Sequence, residues 1–190
     1  MEFARILKTA FDPFFEAPMD AWTDFASVCQ YQKLPKNTVL KKEHDAEHYM
    51  YFTLKGSAGI FLFKEEHYVC LDIAVENSFF CDMMSMLSGK STPLQSMLLE
   101  DSELLRLTRK DYLDLGKTEI GMILTRAAAE SSFIHKQQQQ INLLTKTAEM
   151  RYDEFLIEFP GLVNRISQKH IASYLGITPQ SFSRLKKAAQ

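Results

Sequence analysis

The stretch from Ser167 to Lys187, SQKHIASYLGITPQSFSRLKK, constrains this chain more than any other. The Ser167 hydroxyl suits an N-cap, where it takes a free backbone N–H at a helix start. Ile171, Ala172 and Leu175 then recur at helical spacing. Gly176 falls just past the expected helix end, where a left-handed residue is favoured. Only Ile177 separates it from a second start, with Thr178 as N-cap and Pro179 at the first helical position. Phe182 and Leu185 give the second helix an inward face. Two short helices joined through a glycine, with Ala172 small enough for close approach, read as a helix-turn-helix. In that motif the second helix lies in the major groove of DNA. Its polar face here carries Gln180, Ser181, Ser183, Arg184, Lys186 and Lys187. Gln pairs with adenine and Arg with guanine, each through two hydrogen bonds, which makes Gln180, Ser181 and Arg184 the candidate base readers. Lys169, Ser183, Lys186 and Lys187 are placed for phosphates. The plainer alternative is a surface helix pair with a basic end; caps, glycine, spacing and charge agree better with the motif.

Charge is unevenly distributed. The net charge of −2 over 190 residues does not suggest a nucleic-acid partner. From Pro160 to Gln190, however, Arg165, Lys169, Arg184, Lys186 and Lys187 stand without a single Asp or Glu. A basic end on an acidic body suits a DNA-contacting domain attached to something else. Cys29, Cys70 and Cys81 are widely spaced and lack a CxxC, which fits a reducing cytoplasm rather than a disulfide framework or zinc site. MEFARILKTAF lacks the pattern of a signal peptide, and no run is apolar enough to span a membrane. No GxSxG, HExxH or glycine-rich phosphate loop occurs, and the acidic residues sit in turns and helix starts, so no enzyme is expected.

Along the chain, residues 2–29 read as helical, with one stripe of Phe3, Ile6, Leu7 and Phe11. It breaks near Pro13 and Pro18, and Asp20 caps a second stripe of Trp22, Phe25, Ala26 and Cys29. These aromatics are expected to pack on a following sheet. Short β-rich runs follow at Val39–Leu40, Tyr49–Leu54, Ile60–Phe63, Tyr68–Ile73, Met97–Leu99 and Leu104–Leu107. Turn-like stretches such as Pro35–Asn37 and Lys64–Glu66 separate them, the pattern of an antiparallel sandwich or barrel. Phe79 to Leu87 suggests one or two helical turns. Thr108–Arg109–Lys110–Asp111 is a capping box for a short helix ending at Gly116. A long helix follows from about Thr118 to about Thr147. Its heptad a positions are Ile120, Ala127, Ile134, Ile141 and Ala148, and its d positions are Ile123, Glu130, Gln137 and Leu144. The polar d positions weaken the seam, but a helix this long usually needs a partner, and a dimer is favoured over packing on its own body. Glu149 to Phe159 is a further helix, ended by Pro160–Gly161.

A β-rich N-terminal part, a long helix and a C-terminal helix-turn-helix together resemble the Crp/Fnr family of bacterial regulators, closest to the compact Bacteroidetes type. The residues that carry the likeness are Leu54–Lys55–Gly56, LEDSELL from Leu99 to Leu105 leading into Thr108–Asp111, Arg151–Pro160, and KHIASYLGITP from Lys169 to Pro179. The fold implied is α+β: an N-terminal double-stranded β-roll of the cyclic-nucleotide-binding type, a long dimerisation helix and a C-terminal helix-turn-helix domain, divided at 1–116, 117–147 and 148–190. The function implied is sequence-specific transcription control by a homodimer reading palindromic double-stranded DNA. RNA polymerase is a further expected partner, and no membrane is. The competing reading is a ligand-binding or protein-interaction module with a vestigial helix-turn-helix.

The family's cyclic-nucleotide cassette has a Gly-Glu pair for the ribose hydroxyl and an Arg-Ser/Thr for the cyclic phosphate. Here Cys81–Asp82 stands for the first and the region near Thr92–Pro93 for the second. Thr92 cannot neutralise a phosphate, and no Arg lies between Arg5 and Arg106. Lys90 is the only nearby cation in this reading, and a flexible ammonium does not replace a guanidinium fork. Cyclic AMP is therefore not expected by the usual chemistry, and the effector is left unidentified. Phe79, Phe80, Asp82, Met83, Met84 and Thr92 are the candidate pocket, with Met86 and Met97 nearby and an apolar lining implied. Three scattered cysteines fall short of an iron–sulfur cluster. A haem would need an axial ligand such as His44, His48, His67 or Cys70; a lone histidine reads more readily as a surface or turn residue, and no metal is expected.

Overall fold

The computed structural model describes residues 2–13, 15–65 and 67–188, so Glu66 of the Lys64–Glu66 turn lies outside the described residues. Two antiparallel sheets of four strands each form a β-roll. The first has the order β1 (Gln30–Leu34), β8 (Ser102–Thr108), β3 (Tyr49–Lys55), β6 (Phe79–Phe80). The second has the order β2 (Val39–Lys41), β7 (Leu94–Leu98), β4 (Ala58–Lys64), β5 (His67–Ala74). Two helices precede the roll, α1 (Glu2–Phe11) and α2 (Met19–Ser27), and α3 (Met83–Ser88) interrupts it. After it come α4 (Arg109–Leu115), the long α5 (Glu119–Thr145), α6 (Ala148–Glu158), a 3-10 turn at Leu162–Asn164, α7 (Gln168–Tyr174) and α8 (Pro179–Ala188).

The two sheets make three stacked cores. On the outer face of the first sheet, Met50, Phe52, Leu105 and Leu107 meet Ala4, Leu7, Trp22 and Phe25 of the N-terminal helices and Leu124 of α5. Between the sheets, Tyr51 and Leu104 meet Ala58, Ile60 and Leu98. On the far face of the second sheet, Phe61, Cys70 and Ile73 meet Tyr152, Phe155, Ile171, Ala172 and Phe182 of α6, α7 and α8. Alternate residues of one strand thus enter different cores, because successive side chains point to opposite faces. Burial on both faces is why β3 and β4 read as near-continuous apolar runs rather than as an alternation.

The C-terminal helices are held on the second sheet by polar contacts as well. The Ser173 hydroxyl accepts the Cys70 N–H at 2.8 Å, and the His170 ring sits edge-on to Phe61 at 5.2 Å. Arg165 bridges Glu76 Oε1 at 2.5 Å and Glu100 Oε2 at 2.9 Å.

Three local expectations are corrected. The roll has strands at Gln30–Leu34 and Phe79–Phe80 that the pattern did not mark; the first is polar and pairs with β8 along one sheet edge, and the second holds only two residues. The helix expected across Phe79–Leu87 begins only at Met83. Asp20 lies in the first turn of α2, whose N-cap is Pro18 with no side-chain cap bond. Elsewhere the start signals act as read: Thr108 accepts the Asp111 N–H, and Gly116 follows α4.

The first turns of the long helix place Leu124 in the outer core, but from His135 onward its inner side is polar. His135 Nε2 lies 2.9 Å from Glu158, Lys136 pairs with Asp72 at 2.7 Å, and Gln139 donates to the Leu71 carbonyl at 3.1 Å. Asn142 donates to Glu154 at 3.1 Å, and Lys146 pairs with the same carboxylate. Ile123, Phe133, Ile134, Ile141 and Leu144 point away, with Ile134 67% and Leu144 78% exposed.

Candidate functional site

Residue types around Gly176 dictate the geometry of the C-terminal pair. Ser167 caps α7, its oxygen accepting the Lys169 N–H at 3.3 Å. Gly176 takes φ +67°, a left-handed conformation that costs an L side chain, and closes the helix end. The Ile177 N–H returns to the Ala172 carbonyl at 2.9 Å, as in a Schellman-type stop. Thr178 then accepts the Ser181 N–H at 3.1 Å and starts α8. Ala172 and Phe182 are fully buried, and Phe182 meets the Tyr152 ring edge-on at 5.5 Å.

This leaves the candidate base and phosphate contacts in distinct states. Gln180, Arg184 and Lys187 are exposed on α8 at the i, i+4, i+7 spacing of one outer face. Among the described residues none of these three side chains forms a hydrogen bond or ion pair. Lys169 is exposed at the start of α7. Ser181 and Ser183 are half-buried, and the Ser181 hydroxyl lies 3.0 Å from that of Thr178, within the cap. Lys186 reaches toward Asn164 Oδ1 at 3.5 Å.

The cassette behaves differently. Asp82 caps α3, and its Oδ1 accepts the Ser85 N–H at 3.1 Å. The Thr92 hydroxyl donates to Asp82 Oδ2. The cation beside them is Lys41 of β2, not Lys90. Lys41 Nζ lies 3.1 Å from Asp82 Oδ2, with side-chain exposures of 2% and 0%. It also donates to Thr92 Oγ1 at 3.1 Å and to the Leu94 carbonyl at 2.6 Å. Lys90 contributes only its carbonyl, which accepts the Ser85 hydroxyl at 2.5 Å. Buried beside this group, Glu47 accepts N–H bonds from Asp82 at 3.1 Å, from His48 at 3.1 Å and from Tyr49 at 3.2 Å. Burial raises the Glu47 pKa, and those N–H bonds together with the Lys41 charge offset it only in part.

Sequence reasoning missed Lys41 for a physical reason. By strict alternation it shares a face with Val39, which is exposed. The β2–β7 register shifts between Val39 and Lys41, and that irregularity re-aims the lysine inward.

The six residues expected to line one apolar pocket are divided: Phe79, Phe80 and Met83 border a small cavity of about 110 Å³ with Phe11, Trp22, Phe25 and Met50. Phe79 and Met86 belong to the outer helical core, Phe80 to the core between the sheets, and Met97 packs on the C-terminal core. Met84 is largely exposed. Of the six candidates, Asp82, Met83 and Met84 border one cavity of about 530 Å³. Its other walls include Leu71 of β5, Lys136 and Gln139 of α5, and Ser173 and Tyr174 of α7. Burial pushes the thiols of Cys29 and Cys70 up to about 12 and that of Cys81 well above its ordinary value, so they are thiols at neutral pH. Among the described residues, no group of three His, Cys, Asp or Glu could hold a metal ion, and no helix is long and apolar enough to cross a membrane.

Residues 31–119 match the cyclic nucleotide-binding domain family. Among solved structures, FixK2 from Bradyrhizobium japonicum is similar with a TM-score of 0.72 and 20% identity, over 85% of this chain and 84% of that one. CLP, the c-di-GMP responsive global regulator of Xanthomonas campestris, gives 0.68 and 14% identity over 91% and 92% of the two chains. The Thermus thermophilus catabolite activator protein gives 0.57 and 22% identity over 94% and 85%. No curated protein matches in sequence. The shared fold is a β-roll of the cyclic-nucleotide-binding type followed by a long helix and C-terminal helices. The side chains do not fit its usual ligand. The positions expected to receive the ribose hydroxyl and the phosphate are bonded to each other, and Lys41 beside them is already paired.

Proposed function

We propose that this chain is a Crp/Fnr-type transcription regulator that binds specific DNA as a homodimer in the cytoplasm. The carrying observation is the α7–α8 pair, whose outer face presents Gln180, Arg184 and Lys187 without internal partners on an acid-free segment. In this reading α8 enters the major groove, Gln180 and Arg184 read bases, and Ser181 contributes through its free lone pair. Lys169, Ser183, Lys186 and Lys187 meet phosphates. The names of the similar FixK2, CLP and catabolite activator structures, a global regulator among them, support the reading.

Homodimerisation follows from the polarity of α5. Its inner side is taken up by Leu124 in the outer core and then by contacts to Asp72, Glu154 and Glu158, while Ile123, Ile134, Ile141 and Leu144 line the outer side at heptad spacing. An apolar seam of that kind is stabilised by a second copy. The unit boundaries proposed are a roll over 1–116, a dimerisation helix over 117–147 and a DNA-contacting unit over 148–190. RNA polymerase is the further partner this role implies.

Selection of bound fragments from the source genome with the full chain tests the proposal. A common palindrome with half-sites about one helical turn apart is expected. Recovery of no shared sequence, together with no salt-dependent retention on heparin, would overturn it and favour a protein partner for the same face.

A further inference from the structure

We propose that the Lys41–Asp82–Thr92 contact closes the cassette in place of a cyclic nucleotide, so that the DNA-binding form of the roll is set by the chain's own side chains. The DNA part of this inference rests on the function proposed above; the cassette part stands by itself.

Three observations carry it. The cassette positions that a bound nucleotide would separate, Asp82 and Thr92, are hydrogen-bonded to each other. Charge balance is complete without a ligand: one buried ammonium faces one buried carboxylate at 3.1 Å. Neither partner has spare capacity. The three ammonium donors of Lys41 face four acceptors: Asp82 Oδ2 at 3.1 Å, Thr92 Oγ1 at 3.1 Å, the Leu94 carbonyl at 2.6 Å and the Lys42 carbonyl at 3.3 Å. Asp82 Oδ1 is held by the Ser85 N–H at 3.1 Å, and the backbone N–H of Asp82 is held by Glu47 at 3.1 Å. An incoming phosphate would have to displace the buried Asp82 carboxylate from the buried Lys41 ammonium, which leaves a charge unpaired.

The contact also joins elements far apart in sequence. Lys41 belongs to β2, Asp82 to the start of α3, and Thr92 to the turn before β7. A nucleotide would bring cassette and roll together from outside, and here an ion pair between β2 and α3 does so from inside.

The full chain is titrated with cyclic AMP and cyclic GMP to millimolar concentration by calorimetry and thermal shift. No saturable heat and no shift are expected, whereas a ligand at a hundredfold its Kd would raise the transition clearly. Saturable binding of either nucleotide overturns the inference. In parallel, amide exchange over residues 79–94 is compared in Lys41→Met, Asp82→Asn and the double variant Lys41→Met with Asp82→Asn, whose amide oxygen keeps the cap on Ser85. Each single change leaves a buried polar group unpaired and is expected to speed exchange roughly tenfold or more. The double change removes both charges and is expected to return exchange toward that of the unaltered chain. Single variants that exchange at the unaltered rate refute the closure. If they do not fold, Thr92→Val, which leaves no charge unpaired, reads the same segment with the same two outcomes. Affinity for the selected palindrome is expected to fall with cassette opening. If the unaltered chain selects no DNA, the function proposed above fails while nucleotide binding and exchange still decide the closure.

Discussion

The cassette and the outer face of α8 are both built from short polar side chains and a few cations, yet they treat them in opposite ways. Around Asp82 each polar atom has an internal partner: Lys41, Thr92, Ser85 and Glu47 satisfy one another within the protein. On α8, Gln180, Arg184 and Lys187 have none among the described residues. Buried polar groups must be matched inside because water is not available to them. An exposed face can leave the match to a partner. The same residue types therefore mean structure in one place and, in the function proposed, recognition in the other, and burial with partnering separates the two where composition does not.

The sharpest way to break this contrast is Lys41→Ala. Removing one member of a buried pair is expected to cost about 3–5 kcal/mol, read by urea denaturation. A cost below about 1 kcal/mol would make the cassette as dispensable as a surface. The complementary change, Arg184→Ala, should leave stability within about 0.5 kcal/mol and remove about 1–3 kcal/mol of specific DNA binding, with relaxed preference at one base position. Unchanged affinity for the selected site would cancel the base-reading role. Gly176→Ala tests whether the outward-facing pair has an inner requirement of its own. Its φ of +67° and the Leu143 methyl 3.0 Å from the added Cβ together predict a loss of about 1–2 kcal/mol of stability. An unshifted denaturation midpoint would mean the turn relaxes freely.

A fourth, smaller effect lies between the two extremes. Burial pushes the Glu76 carboxyl up, but the Arg165 hydrogen bonds, backbone N–H groups and charge bring it below its ordinary 4.5. A carboxyl depressed in the folded state adds stability that is present above pH 4.5 and is lost as pH falls through the folded value. With both side chains about a third exposed, the contribution should stay below about 1 kcal/mol. Arg165→Gln should flatten the acid limb of stability against pH, and an unchanged limb would assign it to other carboxyls.

Local signals were the legible part of the fold. Ser167, Gly176, Thr178 and Thr108 act as caps and stop because their effect depends on neighbours within about four residues. The long helix was legible from period and length, and the strands around Tyr49–Lys55 and Ala58–Lys64 as short β-rich runs between turn-like stretches. Lys41 was not, because its aim depends on a register shift against β7, which no local pattern encodes. Nor was the fate of the methionines and phenylalanines near the cassette. Apolar spacing says that Phe79, Phe80 and Met86 go inside, but which of three cores receives each is settled only by how the sheets stack. Strand β1 escaped notice because QYQKL lies along a sheet edge and needs little apolar content there.

A long helix with its apolar side turned outward ties the behaviour of the molecule to its abundance. Where two copies share that seam, the paired form grows with the square of the free chain, and its stability rises with protomer concentration. Occupancy of a two-half-site operator would then answer steeply to the rate at which the chain is made. With the cassette closed from within, the amount of protein is itself an input that this architecture can read.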